Sequence, residues 1–143
     1  CGFTITDNGI GFNKENYKSF KTFDSEYKAS LGCRGVGRLT WLKVFNKSHV
    51  DSRYMENGSI KELNFDFLPQ TGISNISETS GNISEELQTT ITLSDVNPDY
   101  HKTLPKSAET IAKQLLEHCI WYFLRDGGAP DIIIRDDGDS SVE

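Results

Sequence analysis
Asn57-Gly58 separates two runs of alternating residues, and no other stretch of the chain restricts its fold as much. Val50, Ser52 and Tyr54 share one side of the first run; Leu63, Phe65 and Phe67 share one side of the second. Asn-Gly accepts the positive φ angles of a two-residue hairpin turn, so the runs pair as neighbouring antiparallel strands. Residues 2–6 read as a strand that stops at Asp7-Asn8-Gly9, and Thr89 to Leu93 reads as another, with Ile91 and Leu93 on one face. Helical spacing occupies other parts. Arg38 to Phe45 offers Leu39, Trp41, Leu42 and Val44-Phe45 as core. The clearest helix covers 106–124, where Ile111, Ala112, Leu115, Cys119 and Phe123 recur three or four apart. Pro105 suits its first turn, Gly127-Gly128 ends it, and Asp131 to Arg135 reads as a short apolar strand before an acidic tail. Residues 13–31 predict a short helix plus a mobile loop, and 69–88, with few apolar anchors, a surface loop. Strands and helices mix without strict βαβ alternation, the pattern of an α+β fold with a mixed or antiparallel sheet.

At 143 residues, with no internal repeat or linker, the chain has the length of one domain. Its 8 Phe, 5 Tyr and 2 Trp are spread along the sequence, which excludes disorder. No apolar run approaches the roughly 18 residues needed to cross a bilayer, and no signal peptide is visible. Cys1, Cys33 and Cys119 are odd in number and lack CxxC spacing, which fits free thiols in a reducing, cytoplasmic setting. Four Asn-x-Ser sequons at Asn46, Asn57, Asn75 and Asn82 are chance matches in a chain rich in Asn and Ser. His49, His101 and His118 are scattered, without Cys or carboxylate at ligand spacing, and predict no metal site.

The net charge of −6 is unevenly spread. From Lys14 to Arg53 nine basic residues face four acidic ones, a local excess of +5, which leaves −11 for the remainder. A positive island on an acidic chain suits a small anion. It does not suit a nucleic-acid surface, which goes with a domain pI above about 9. The plainer reading, a solvated helix face, stays open.

Two glycine clusters could carry chemistry. Asp7-Asn8-Gly9-Ile10-Gly11 directly follows a strand, where missing Cβ atoms let backbone approach a flat ligand and a carboxylate can accept from an amino group. Taken alone it is also simply a turn. Gly32-Cys33-Arg34-Gly35-Val36-Gly37 directly precedes a helix, where backbone N–H groups and the helix dipole favour phosphate oxygens. No Gly-Lys-Ser/Thr closes it, and Thr40 stands where the dinucleotide fingerprint needs Gly or Ala.

In this order, with a Phe-rich lysine segment between them and a Thr-Thr strand beyond, the clusters resemble the GHKL superfamily of ATP-binding domains. That group includes the ninety-kilodalton heat-shock chaperone, gyrase B, MutL and the sensor histidine kinases. Asp7-Asn8-Gly9-Ile10-Gly11 resembles the family's DxGxG box and Gly32 to Gly37 its GxxGxG box. Gln88-Thr89-Thr90-Ile91-Thr92-Leu93 is similar to its GT-x-V/I strand. The resemblance implies a two-layer α/β sandwich, the Bergerat fold, with helices on one face of the sheet. It implies that Asp7 accepts from the adenine amino group, with Gly9, Ile10, Gly11 and Phe12 beside the base and Thr89 completing the pocket through a water. Gly32, Cys33, Arg34, Gly35, Val36, Gly37 and Arg38 would surround the phosphates, the two arginines being equally readable as structural. Residues 13–31 would be the lid, with Phe20 and Phe23 packing it.

The same resemblance implies an upstream helix with a Glu that activates water and, four residues on, an Asn that holds Mg²⁺. No Glu-x-x-x-Asn sits at a matching place here, so those residues are expected before Cys1, and the chain is expected to be an N-terminally incomplete domain of a longer cytoplasmic ATPase. No catalytic residue is assigned within it. ATP and ADP are the expected ligands, with Mg²⁺ in the complete domain. An exposed apolar patch, or pairing with a second copy, is expected, and neither membrane nor nucleic acid. Two other functions remain: a histidine-kinase catalytic domain, disfavoured because Arg38-Leu39-Thr40-Trp41 follows the second box in place of the GxGLGL pattern, and a non-catalytic module that keeps the fold.

Overall fold
A computed structural model describes residues 2–22, 37–82, 85–124, 129–136 and 141–142. The chain forms two compact units, Cys1–His101 and Lys102–Glu143.

The first unit is built on a five-stranded sheet of β1 (Phe3–Asp7), β2 (Phe45–Glu56), β3 (Ser59–Leu68), β4 (Gly72–Ser80) and β5 (Gln88–Val96). The spatial order is β1-β5-β2-β3-β4 and every neighbouring pair is antiparallel. The hairpin forms as its turn chemistry requires: Asn57 has φ 50° and Gly58 φ 78°, and Glu56 pairs with Ser59. The last strand of the unit, β5, enters between β2 and the first strand, so β1 becomes an edge. That placement brings the end of β1 beside the start of β5.

One face of the sheet is apolar. Val50, Tyr54, Leu63, Phe65 and Phe67 form its buried centre, and Phe12, Tyr17, Phe20, Trp41, Leu42, Ile73 and Ile91 pack against it. The helices α1 (Lys14–Lys21) and α2 (Gly37–Val44) supply Tyr17, Phe20, Trp41 and Leu42 to this layer. Phe20 is its junction, with ring centroids 5.3 Å from Phe12, 5.5 Å from Phe65, 5.1 Å from Phe67 and 5.9 Å from Trp41. Edge-to-face pairs at this spacing each add about 0.5–1.5 kcal/mol beyond the area they bury. Burial of the aromatic face thus holds α1 to the sheet, although none of its residues is fully buried. Asn13 caps α1 by accepting from the Asn16 N–H at 2.9 Å, with Glu15 in the first turn and Lys18 and Lys21 in the last, as the helix dipole favours.

The opposite face is polar throughout its central rows. Thr6, Thr90, Asp51, Asn64 and Ser77 lie in one row across the sheet, and Thr4, Thr92, His49, Asp66 and Ser74 in the next. Such a face can stay in water on one side of an antiparallel sheet. His49 is its electrostatic centre: Nδ1 lies 2.6 Å from Asp66 Oδ1 and Nε2 3.4 Å from Asp51 Oδ2. The Asp66 hydrogen bond, reinforced by the charges of Asp51 and Asp66, raises the imidazole pKa above its usual range despite partial desolvation. Asp66 is held below the usual carboxylate range by Asn75 first and His49 second.

Two differences from the sequence reading concern strands. Within 69–88, read as a surface loop, Gly72–Ser80 is the edge strand β4. A bulge hides it: the register passes from Asn64↔Ser77 to Asp66↔Ser74, so Asn75 and Ile76 oppose Phe65 alone, and Asn75 takes φ 51°. Ile73 and Ile76 are therefore three apart and show no period of two. The strand 131–135 contracts to β6 (Ile134–Arg135), paired with β7 (Ser141–Val142) inside the expected acidic tail. Asp131, Ile132 and Ile133 lack a ladder partner among the described residues. The helix expected over 106–124 is α3 (Ala108–Leu124), which begins where the Asp136 carboxylate accepts from the Ala108 N–H at 2.9 Å and Ser107 Oγ from Thr110 N–H at 3.3 Å. These elements make up the second unit. Of the 13–31 segment, the helix is present as α1 and residues 23–31 lie outside the described residues. Among the described residues no helix is long and apolar enough to cross a membrane.

The His49 cluster sets a pH dependence. A folded pKa above the unfolded value of about 6.5 adds stability that is complete below that value and is lost as pH rises through the folded pKa. Asp66, shifted the other way, adds stability above about pH 4 that is lost as pH falls through its folded value. Urea midpoints are therefore expected to be higher at pH 5.5 than at pH 8.5, and His49→Gln to flatten that difference. An equal difference in the variant would show that other groups cause it.

Candidate functional site
The register places three polar side chains in one row. Ser52 on β2 pairs with Thr89 on β5, and Thr89 pairs with Asp7 on β1, so all three lie on the apolar face at its open end. Directly opposed Cβ atoms are about 4.5–5.5 Å apart, so Thr89 stands within one side-chain length of both neighbours. Ser52 and Thr89 are each 2% exposed and their hydroxyl oxygens lie 2.9 Å apart. Asp7 is exposed, and its Oδ1 accepts from the Gly9 N–H at 2.9 Å, closing the turn that leaves the strand.

Both glycines of that turn are needed, for different reasons. A Cβ on Gly9 would lie 2.8 Å from Asp7 Oδ1 and would push the carboxylate aside. Gly11 has φ 70°, and a Cβ there would meet Ser52 Oγ at 2.8 Å, the Tyr54 Cβ at 3.0 Å and the Arg53 carbonyl at 3.1 Å. The peptide that follows Gly11 is held from two sides. The Phe12 N–H donates to Ser52 Oγ at 2.9 Å, and Asn16 Nδ2 donates to the Gly11 carbonyl at 2.7 Å. Asn16 Oδ1 is buried without a hydrogen-bond partner among the described residues. Phe12 then packs on Phe65 at 5.4 Å, while Ile10 is 64% exposed. Ile5, in the row next to Asp7 and on the same face, is 48% exposed. The result is a shelf with a carboxylate acceptor, a hydroxyl behind it, and apolar side chains and bare backbone around them. Those are the requirements of a flat heterocycle that carries an amino group.

Of the residues singled out in the sequence, Asp7, Gly9, Ile10, Gly11, Phe12 and Thr89 come together here. Gly32, Cys33, Arg34, Gly35 and Val36 lie outside the described residues. Gly37 opens α2, with nothing among the described residues within 4 Å of where its Cβ would be. Arg38 turns toward the end of α1: its Nη2 donates to the Thr22 carbonyl at 2.6 Å and its guanidinium lies 5.3 Å from the Phe20 ring centre. No group of three or more His, Cys, Asp or Glu able to hold a metal occurs among the described residues. Ser52 and Asn16 are the residues of this turn's hydrogen-bond network that sequence reasoning passed over. Ser52 is readable as a small hydroxyl between inward-facing Val50 and Tyr54, and Asn16 as the fourth residue of a capped Asn13-x-x-Asn16 turn.

An antiparallel five-stranded sheet, helices packed on one face, and a glycine turn leaving the edge strand beside a Thr-bearing strand together make an α+β fold. The crystal structure of the 43K ATPase domain of gyrase B from Thermus thermophilus, in complex with an aminocoumarin, is similar to 96% of this chain with a TM-score of 0.51. The identity is 14%, and the chain spans 38% of that structure's length, so the likeness is one of fold. No family model matches the chain, and no curated protein matches it in sequence.

Gly11→Ala tests the geometry of the turn. Left-handed strain of about 1–3 kcal/mol adds to the collision with Ser52. The variant is expected to melt several degrees below the parent; an unchanged melting temperature would mean that the turn is not held as described.

Proposed function
We propose that the chain is the ATP-binding part of a larger cytoplasmic GHKL-type ATPase and acts as a nucleotide-dependent conformational switch. One observation carries the reading: Asp7 and Thr89, far apart in sequence, are cross-strand partners at the mouth of a glycine turn that a side chain would fill. Asp7 accepts from the 6-amino group of adenine. Gly9 and Gly11 let backbone lie against the ring, with Ile10 and Phe12 at its edge, and the Thr89 hydroxyl completes the polar contact. The donor set fits adenine, since a carboxylate placed at the exocyclic position repels the carbonyl oxygen that guanine has there.

The triphosphate falls to the second glycine cluster, Gly32 to Gly37, and to Arg38. ATP supplies a phosphoanhydride whose hydrolysis, in the complete enzyme, releases the bound state. The water-activating Glu and the Mg²⁺-holding Asn that the resemblance implies are assigned to no residue of this chain. What these residues do is bind and orient: the shelf fixes the base, and α1, joined to the Gly11 carbonyl through Asn16 and to α2 through Arg38, reports occupancy to the segment that follows. Exposed Ile5 and Ile10 give the shelf its apolar rim.

Calorimetric titration of ATP and GTP into the protein and into Asp7→Ala tests the reading, with thermal melts confirming that the variant folds. Loss of a charge-assisted hydrogen bond is expected to weaken ATP about tenfold or more while leaving weak GTP binding unchanged. ATP binding of equal strength in the variant would contradict the role of Asp7.

A further inference from the structure
On the polar face of the sheet the two ring nitrogens of His49 are held unequally. Nδ1 lies 2.6 Å from Asp66 Oδ1, a short charge-assisted contact, whereas Nε2 lies 3.4 Å from Asp51 Oδ2, beyond the usual N–H···O range. Asp66 is itself fixed from its other oxygen, where Asn75 Nδ2 donates to Oδ2 at 2.6 Å. The Asp66 contact engages the Nδ1 proton and leaves Nε2 as the nitrogen whose lone pair can be used. His49 and Asp51 stand two apart on β2 and project from the same side of the strand, with side chains 45% and 55% exposed. In the sequence His49-x-Asp51 passes for two unrelated residues; the strand makes them a pair.

We propose that His49 Nε2 and Asp51 form a two-ligand surface site for a zinc-class cation, with Asp66 and Asn75 as positioning residues that hold the imidazole in the tautomer and orientation the ion needs. Zinc binds imidazole nitrogen at about 2.0–2.1 Å and carboxylate oxygen at about 2.0–2.2 Å, so two tetrahedral ligand atoms sit about 3.4 Å apart. The 3.4 Å gap is therefore long for a hydrogen bond and the right width for a shared ion. A ligating histidine commonly donates its other ring N–H to a carboxylate, and here that carboxylate is anchored in turn. On binding, the metal takes the Nε2 lone pair, and any proton there leaves to solvent. Water fills the remaining positions: Asp51 also borders a shallow polar concavity of about 270 Å³ with Asn64 and Thr90. Two protein ligands make an exchangeable site, unlike the closed four-ligand sites that hold a fold together. The imidazole selects zinc and its copper and nickel neighbours over magnesium and calcium, which prefer oxygen. The ion is thus distinct from the nucleotide's Mg²⁺, and its site lies on the sheet face opposite Ser52 and Thr89.

Long-range ¹H–¹⁵N spectra of the imidazole rings test the site, recorded on the 143-residue chain without nucleotide as zinc chloride is added. Zinc is expected to move the Nε2 signal of His49 while Nδ1 keeps its proton, and magnesium chloride at the same concentration to leave both in place. Asp51→Ala is expected to lose that shift at zinc concentrations that saturate the parent. Asp66→Ala, which removes no ligand, is expected to weaken zinc about tenfold or more, read from the same signal. Before zinc is added, its His49 ring should exchange between the two N–H tautomers, a change that lost packing alone would not produce. The parent spectra decide the matter if a variant does not fold. An unmoved His49, with zinc signals confined to His101, His118 or the thiols, would overturn the proposal, as would magnesium acting equally well. Zinc binding at His49 that Asp66→Ala leaves at full strength would overturn the positioning role of Asp66.

Discussion
The peptide between Gly11 and Phe12 is the point on which the site depends. Its carbonyl is held by Asn16 and its N–H by Ser52, which joins the turn after β1 to helix α1 on one side and to the centre of the sheet on the other. Gly11 holds this peptide with φ 70°, and a Cβ on it would lie 2.8 Å from Ser52 Oγ. From this clamp follow the exposed position of Asp7, the burial of Phe12 against Phe65, and the ordered row of Ser52, Thr89 and Asp7. The aromatic face beneath supplies the rigidity, since Phe20 and Phe12 share Phe65 as a common support.

The two faces of the sheet divide the work. The apolar face fastens the helices and ends in the shelf, whereas the polar face carries His49 between Asp51 and Asp66, three residues from Ser52 along β2 and on the other side. A substitution on the polar face should therefore alter stability with pH without touching the row of Ser52, Thr89 and Asp7. Arg38, counted in the sequence among phosphate neighbours, also stitches the start of α2 to the end of α1. It bridges the two ends of the stretch that contains the second glycine cluster.

Much of this was legible in the residues. The hairpin followed from Asn57-Gly58, the helices from apolar spacing, and the glycine turn at the end of the first strand from Asp7-Asn8-Gly9. What escaped was whatever broke a period or used a residue against type. β4 carries its two isoleucines three apart because a bulge intervenes at Asn75 and Ile76, so a strand reads as a loop. Ser52 occupies an inward position where apolar neighbours suggested plain packing, and only the register reveals that it faces Thr89 on one side and the turn on the other. Cross-strand partnership is set by the order β1-β5-β2, which no local pattern encodes.

The central claim, that a purine sits on the Asp7–Thr89 shelf, is tested most directly by following backbone amide signals of the ¹⁵N-labelled protein as an adenine nucleotide is added. The account predicts that shifts concentrate on Gly9, Ile10, Gly11, Phe12 and Thr89, with Asn16 responding through the Gly11 carbonyl. Shifts confined to the hairpin around Asn57, to the His49 face or to α3, with those residues silent, would contradict it.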